Sequence, residues 1–287
     1  MTSATAAAAF LGHGNPMNTL EDNVYTRAWR AFGEATPRPR AVCVISAHWF
    51  IGATAVTAME RPRTIHDFYG FPQRLFDVEY PAPGAPDVAQ EIADAVRPRW
   101  VGLDRDSWGL DHGTWTVLRH VYPDADVPIV QLSINATHPF DHHLDLGARL
   151  APLRERGIAI IASGNVVHNL RAVAPKTHRE QGFDWAERFD EKAREILTTR
   201  PGDVLELTSH PDYAMAVPTP DHFIPLIYLA AVADRANARP EVLTPGYAWG
   251  SLSMTSYAIG CACEPDETGA RPSVRPPDGV PPEETNT

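Results

Sequence analysis

The chain has 287 residues, 44% hydrophobic and 21% charged, enough apolar material for a core that needs no disulfide or metal to fold. Its formal charge of −11 excludes a nucleic-acid or acidic-membrane partner, because phosphate binding needs clustered Lys and Arg, and no run of them occurs. No apolar stretch reaches the ~20 residues that span a bilayer, and the apolar start, Met1 to Leu11, lacks the basic residues of a signal peptide.

In chain order, short apolar runs of strand length fall at Ala7–Leu11, Ala41–Ser46, Pro128–Ile134 and Gly157–Ser163. None alternates with period two, as expected of strands buried on both faces. Helical patterns come between and after them. Asp87 is placed to cap a helix carrying Val88, Ile92 and Val96, and Asp184 with Glu187 has the spacing of a capping box before Trp185, Phe189, Ala193 and Ile196. Strands alternating with helices predict one α/β domain over residues 1–263, with a largely parallel or mixed central sheet covered by helices on both faces. Residues 264–287, rich in Pro and Glu, have too little apolar surface to offset the entropy of ordering and are expected to be a disordered tail. Three cysteines, Cys43, Cys261 and Cys263, cannot all pair, which points to a reducing, cytoplasmic compartment.

The twelve histidines are not spread evenly over this pattern. His13 follows the first run in Leu11-Gly-His-Gly-Asn-Pro16, His48 follows the second in Ser46-Ala-His-Trp49, and His168 follows the fourth in Ser163-Gly-Asn-Val-Val-His-Asn169. Each is expected just beyond the C-terminal end of a strand, the edge where open α/β sheets form their ligand crevice. His112 lies in a Gly-containing turn before a helix, and His222 opens an apolar segment whose Pro225 suits a first helical turn. Neutral imidazole is a ligand for Zn, Fe, Cu and Ni and also titrates near neutral pH, so such a cluster offers metal ligands and acid/base groups together. His138 reads as a loop cap or a pocket-lining residue, and His142 and His143 as a solvated pair at a helix start. A Gly-rich phosphate loop, a Gly-x-Ser-x-Gly elbow and a His-Glu-x-x-His helix are all missing.

Six segments, Gly-His-Gly-Asn-Pro (12–16), Ser-Ala-His-Trp (46–49), His-Asp-Phe-Tyr-Gly-Phe-Pro (66–72), Asp-His-Gly-Thr-Trp (111–115), Ser-Gly-Asn-Val-Val-His-Asn (163–169) and Pro-Thr-Pro-Asp-His-Phe (218–223), stand in the order found in the 4,5-DOPA extradiol dioxygenase family. Over residues 8–260 the chain resembles that family. The resemblance implies a class III extradiol enzyme that opens a catechol with O2 on nonheme Fe(II), often replaced by Zn(II). It makes His13, His48 and His222 the metal ligands, His168 the catalytic base or a fourth ligand, and His112 the residue beside dioxygen, with Asp221 turned elsewhere. Three neutral imidazoles would leave the metal charge to an anionic catecholate. Trp49, Phe68, Phe71 and Trp115 are candidate walls for the substrate ring, and Arg74 is a candidate partner for a substrate carboxylate. Three histidines around an open position also fit a Zn(II) hydrolase, and a noncatalytic binder would keep the same pocket.

Overall fold

The four apolar runs form the centre of an eight-stranded sheet. In this computed structural model the described residues are 5–174, 181–261, 263, 281 and 284–286. The strands are β1 (Ala8–Gly12), β2 (Ala41–Ile51), β3 (Ala55–Thr57), β4 (Gly102–Asp104), β5 (Ile129–Asn135), β6 (Ile158–Gly164), β7 (Glu241–Thr244), β8 (Tyr247–Ala248), β9 (Leu252–Ser253) and β10 (Ser256–Ile259). Their order in the large sheet is β4-β3-β5-β2-β6-β1-β10-β7, with β8 and β9 a separate ribbon. The central quartet β5-β2-β6-β1 is parallel, and β3 and β10 join it antiparallel on either side. The sheet is therefore mixed.

Helices cover both faces: α1 (Val24–Ala35), α2 (Gln73–Phe76), α3 (Pro86–Ala95), α4 (His112–Val121), α5 (Phe140–Leu150), α6 (Asp184–Thr199), α7 (Tyr213–Ala216) and α8 (Ile224–Arg235). Alternate residues of one strand serve different sides. Cys43 and Ile45 pack with Ile92 of α3, Leu146 of α5 and Leu226 of α8, whereas Val42 and Val44 pack with Trp29 of α1 and Leu118 of α4. This two-sided burial is why the strands show no period-two pattern. α8 is buried from Ile224 to Ala233, so it is apolar all round, and it lies against α5 where Gly147 lets the Tyr228 backbone come close.

Helix starts differ from the sequence expectation in two places. α3 begins at Pro86, after Ala85, so Asp87 sits inside the first turn, where a carboxylate favours the helix dipole without capping. α6 begins at Asp184 itself, and Glu187 accepts the Gly182 N–H at 2.9 Å instead of closing a capping box. The capping box is at α1, where the Asn23 side chain accepts from Tyr25 and Thr26 N–H and Thr26 Oγ1 accepts from Asn23 N–H.

Cys43 is a free, buried thiol whose pKa burial pushes up to about 12. Cys261 and Cys263, expected as thiols, are joined to each other. Most of the expected tail lies outside the described residues, but Thr285 is 1% exposed, so the chain returns to the body there. Among the described residues no helix is long and apolar enough to cross a membrane.

Asp190 of α6 fastens that helix to the C-terminal strands by accepting from the hydroxyls of Tyr247 (3.1 Å), Ser253 (2.8 Å) and Thr255 (2.7 Å). Burial raises its carboxyl above the ordinary range against these three donors, which lower it. A raised folded-state pKa contributes stability below the unfolded value, ~3.9, that is lost as pH rises through the folded value. Urea denaturation should therefore show the stability of the wild type relative to Asp190→Asn falling as pH rises from ~4. A difference that is flat with pH would contradict this assignment.

Candidate metal centre

Five histidines converge at the C-terminal edge of the central strands. His13 stands one residue past β1, and its N–H donates to Gly164 O at the end of β6 (3.2 Å). His48 lies within β2, not beyond it. The pairing of β2 with β5 breaks between Ile45 and Phe50, and this irregularity turns Ser46–Trp49 out of register before the strand resumes. His112 is the first residue of α4, whose cap Asp111 accepts from Thr114 N–H. His222 lies two residues before α8, with Pro225 in its first turn, and its carbonyl approaches Gly164 so closely that a Cβ there would stand 2.3 Å away. His168 follows β6 and is held by its N–H to Ala216 O (2.9 Å) and a bridge to Leu252.

The rings are close together. His48 and His112 have centroids 3.8 Å apart, His13 and His48 5.1 Å, and His222 lies 5.2 Å from His13 and 5.0 Å from His48. His168 stacks on His222 at 3.6 Å with planes 2° apart. The nitrogens of His13, His48 and His112 all lie within 4.8 Å of one another. The geometry thus puts His112 among the donors, beside the expected trio of His13, His48 and His222.

Outer oxygens face the Nδ1 atoms and set the tautomers of His13 and His222. Ser163 Oγ donates its one proton to Gly113 O, so its 2.9 Å contact with His13 Nδ1 is accepted from an Nδ1–H. Asp67 Oδ2 lies 3.4 Å from His48 Nδ1 and Oδ1 lies 3.0 Å from His112 Nδ1. His222 Nδ1 is bonded to Asp221 Oδ2. All four imidazoles turn Nδ1 toward an oxygen, but only those of His13 and His222 make a hydrogen bond there and so present Nε2 with its lone pair, as metal-ligating histidines do; His112 Nδ1 and Asp67 Oδ2 are buried without a hydrogen-bond partner. The Nε2 atoms of His13 and His48 are 3.2 Å apart, and those of His112 and His222 are buried without a hydrogen-bond partner. Lone pairs on both His13 and His48 would repel unless one nitrogen carries a proton or a cation lies among them. The residues fit a metal.

Electrostatics agree. Burial, then the neighbouring histidines, hold His13 and His48 well below the ordinary imidazole range, so they are neutral and able to ligate. Burial alone would raise Asp67 and Asp221, but the first is held below its ordinary range by His112 and the second by His222. Behind them Asp111 accepts from Ser46 Oγ (2.7 Å) and Gln131 Nε2, and burial, with Asp67 nearby, raises it to about 6.

Sequence reasoning missed the two carboxylates that orient these rings. Asp67 was visible only as a neighbour of His66 and Phe68, and Asp221, expected to point elsewhere, binds the ring of the next residue. Of the expected aromatic walls, Phe68 meets His112 edge-on at 5.5 Å, with Phe71 and Trp115 packed behind it at 5.3 and 6.0 Å. Trp49 is buried and stacked on Trp108. Arg74 is exposed on α2. His142 and His143, expected to be solvated, are buried, and His143 Nδ1 lies 3.1 Å from Tyr228 Oη.

Comparison with known proteins gives a consistent picture. The family model described as the catalytic LigB subunit of aromatic ring-opening dioxygenase matches residues 9–260. A protein of Escherichia coli (strain K12) named 4,5-DOPA dioxygenase extradiol is 48% identical over 265 residues, 91% of this chain and 97% of its own length. One of the same name from Beta vulgaris is 35% identical over 259 residues, 86% of this chain and 94% of its own. The crystal structure of an uncharacterized protein from Escherichia coli K12 is similar with TM-score 0.77 and 43% identity, over 89% of this chain and 100% of that one.

Proposed function

The chain belongs to the family of the catalytic LigB subunit of aromatic ring-opening dioxygenases, and from that premise we propose that it opens a catechol, DOPA-like or otherwise substituted, with O2 at an Fe(II) held by His13, His48 and His222. It is an extradiol ring-cleaving dioxygenase, and its histidines His13, His48 and His112 form a cluster that could hold a metal ion. The observation that supports the finer reading is the convergence of four buried imidazoles, each with Nδ1 facing an outer oxygen and two of them, His13 and His222, hydrogen-bonded there.

When bound, the iron would bring the catechol oxygens and O2 together and pass electron density between them. The chain's own residues do the rest. His13, His48 and His222 donate Nε2. Asp221 and Asp67 stay ionised and fix the planes of His222, His48 and His112. They also temper the expectation from three neutral ligands, since two buried negative charges one imidazole away offset part of the metal's charge. His168, held face to face with His222, takes a hydroxyl proton from the catechol. His112 Nε2 is the second proton-handling atom, and the Phe68 edge keeps water from it. Phe68 faces the substrate ring, supported by Phe71 and Trp115, and Trp49 completes the wall.

The metal and substrate are tested together by loading the protein with Fe(II) or Zn(II) without oxygen and following O2 uptake with a panel of catechols. The expected result is uptake with the Fe(II) protein, one O2 per ring opened, and none with Zn(II). Ester hydrolysis by the Zn(II) protein with no uptake by either would establish a hydrolase instead.

A further inference from the structure

We propose that the C-terminal end, Glu284–Asn286, is a positioning element of the active site, which holds from outside the segment Asp67–Tyr69 whose carboxylate orients His48 and His112. Two hydrogen bonds tie the segments on either side of Phe68. The Tyr69 N–H donates to Thr285 O at 3.1 Å, and Asn286 Nδ2 donates to Asp67 O. Thr285 is 1% exposed, so it is seated on the body. The Glu284 N–H donates to Pro281 O at 2.9 Å, and Asn286 has the left-handed φ of 57° that asparagine tolerates.

The held segment is anchored by its side chains, with Phe68 buried and His66 Nε2 2.8 Å from Val78 O, but its backbone lacks a ladder. Residues 66–70 belong to no helix or strand, Tyr69 is 64% exposed, and Gly70 has φ 78°. Yet the segment carries Asp67, which accepts the His112 N–H at 2.9 Å and lies against both imidazoles, and Phe68, whose ring meets His112. Freedom in this segment becomes freedom in two rings of the metal centre. Misplacing reacting groups by ~1 Å costs up to ~10²-fold in rate. The family match ends at residue 260, so this hold lies outside the shared domain.

The kinetic part of this inference rests on the ring-cleavage reading, but docking and metal retention do not. The test compares the full chain, a chain ending at residue 280, Asn286→Asp, which removes the donor, and Asn286→Gln, which keeps it. In the full chain the Tyr69 amide should be protected from hydrogen exchange. In the shortened chain it should exchange freely, Fe(II) should pass faster to a chelator, and kcat should fall about tenfold or more with KM little changed. Asn286→Asp should move the same way, and Asn286→Gln should recover part of the loss. Equal Tyr69 exchange in full and shortened chains would overturn the docking. Lost protection with unchanged metal release and kcat would overturn the positioning role, as would faster turnover of bulky catechols by the shortened chain.

Discussion

Alanine in place of His13, His48 or His222 is expected to leave a folded protein that no longer binds a stoichiometric metal ion. The fold survives because the central strands are buried on both faces by two apolar clusters that do not include these side chains. The metal is lost because each substitution removes one of three donors from a site whose other rings are fixed by Ser163, Asp67 and Asp221 and cannot move in to replace it. His112→Ala is the informative control, since its nitrogen groups with those of His13 and His48. Elemental analysis after reconstitution should find the metal in His112→Ala and not in His222→Ala. The reverse pattern would exchange the roles of these two residues.

The second large effect is on turnover. His168→Gln should keep its metal and lose ring opening by ~10²–10⁴-fold, the usual contribution of a general acid/base group. Its ring stacks on His222, so glutamine removes the base while leaving the Asp221 bond to His222 in place. A catechol with an electron-withdrawing substituent gives up its proton more readily and should be less affected. His112→Ala should still bind catechol but consume O2 slowly or without matching product. Measuring metal content, catechol binding and product yield in both variants separates the roles. Loss of the metal from His168→Gln would make His168 a ligand.

Much of this was legible in the sequence because strand ends are marked by composition. The four apolar runs are the four parallel strands at the centre of the sheet, and each of the histidines His13, His48 and His168 was found near the end of one. The break inside β2 was hidden, because Trp49, Phe50 and Ile51 continue the apolar pattern while the pairing shifts. The outer carboxylates were hidden for a different reason. An Asp beside a His carries no periodicity, and only the folded chain shows Asp67 between two rings or Asp221 bent back onto its neighbour. His142 and His143 look polar at a helix start, yet α5 turns them inward, where Tyr228 of α8 meets His143. The seat of Thr285 was likewise invisible, since composition records how little apolar surface a segment has and not whether its backbone finds partners.

The central claim is that the histidine cluster supports dioxygenation of a catechol ring, and isotope labelling reads this directly. Fe(II)-loaded protein given a catechol and 18O2 should yield a ring-opened semialdehyde acid carrying label from both atoms of O2, allowing for exchange of the aldehyde oxygen with water. An unopened ring, or an opened product whose new oxygens all come from water, would contradict it.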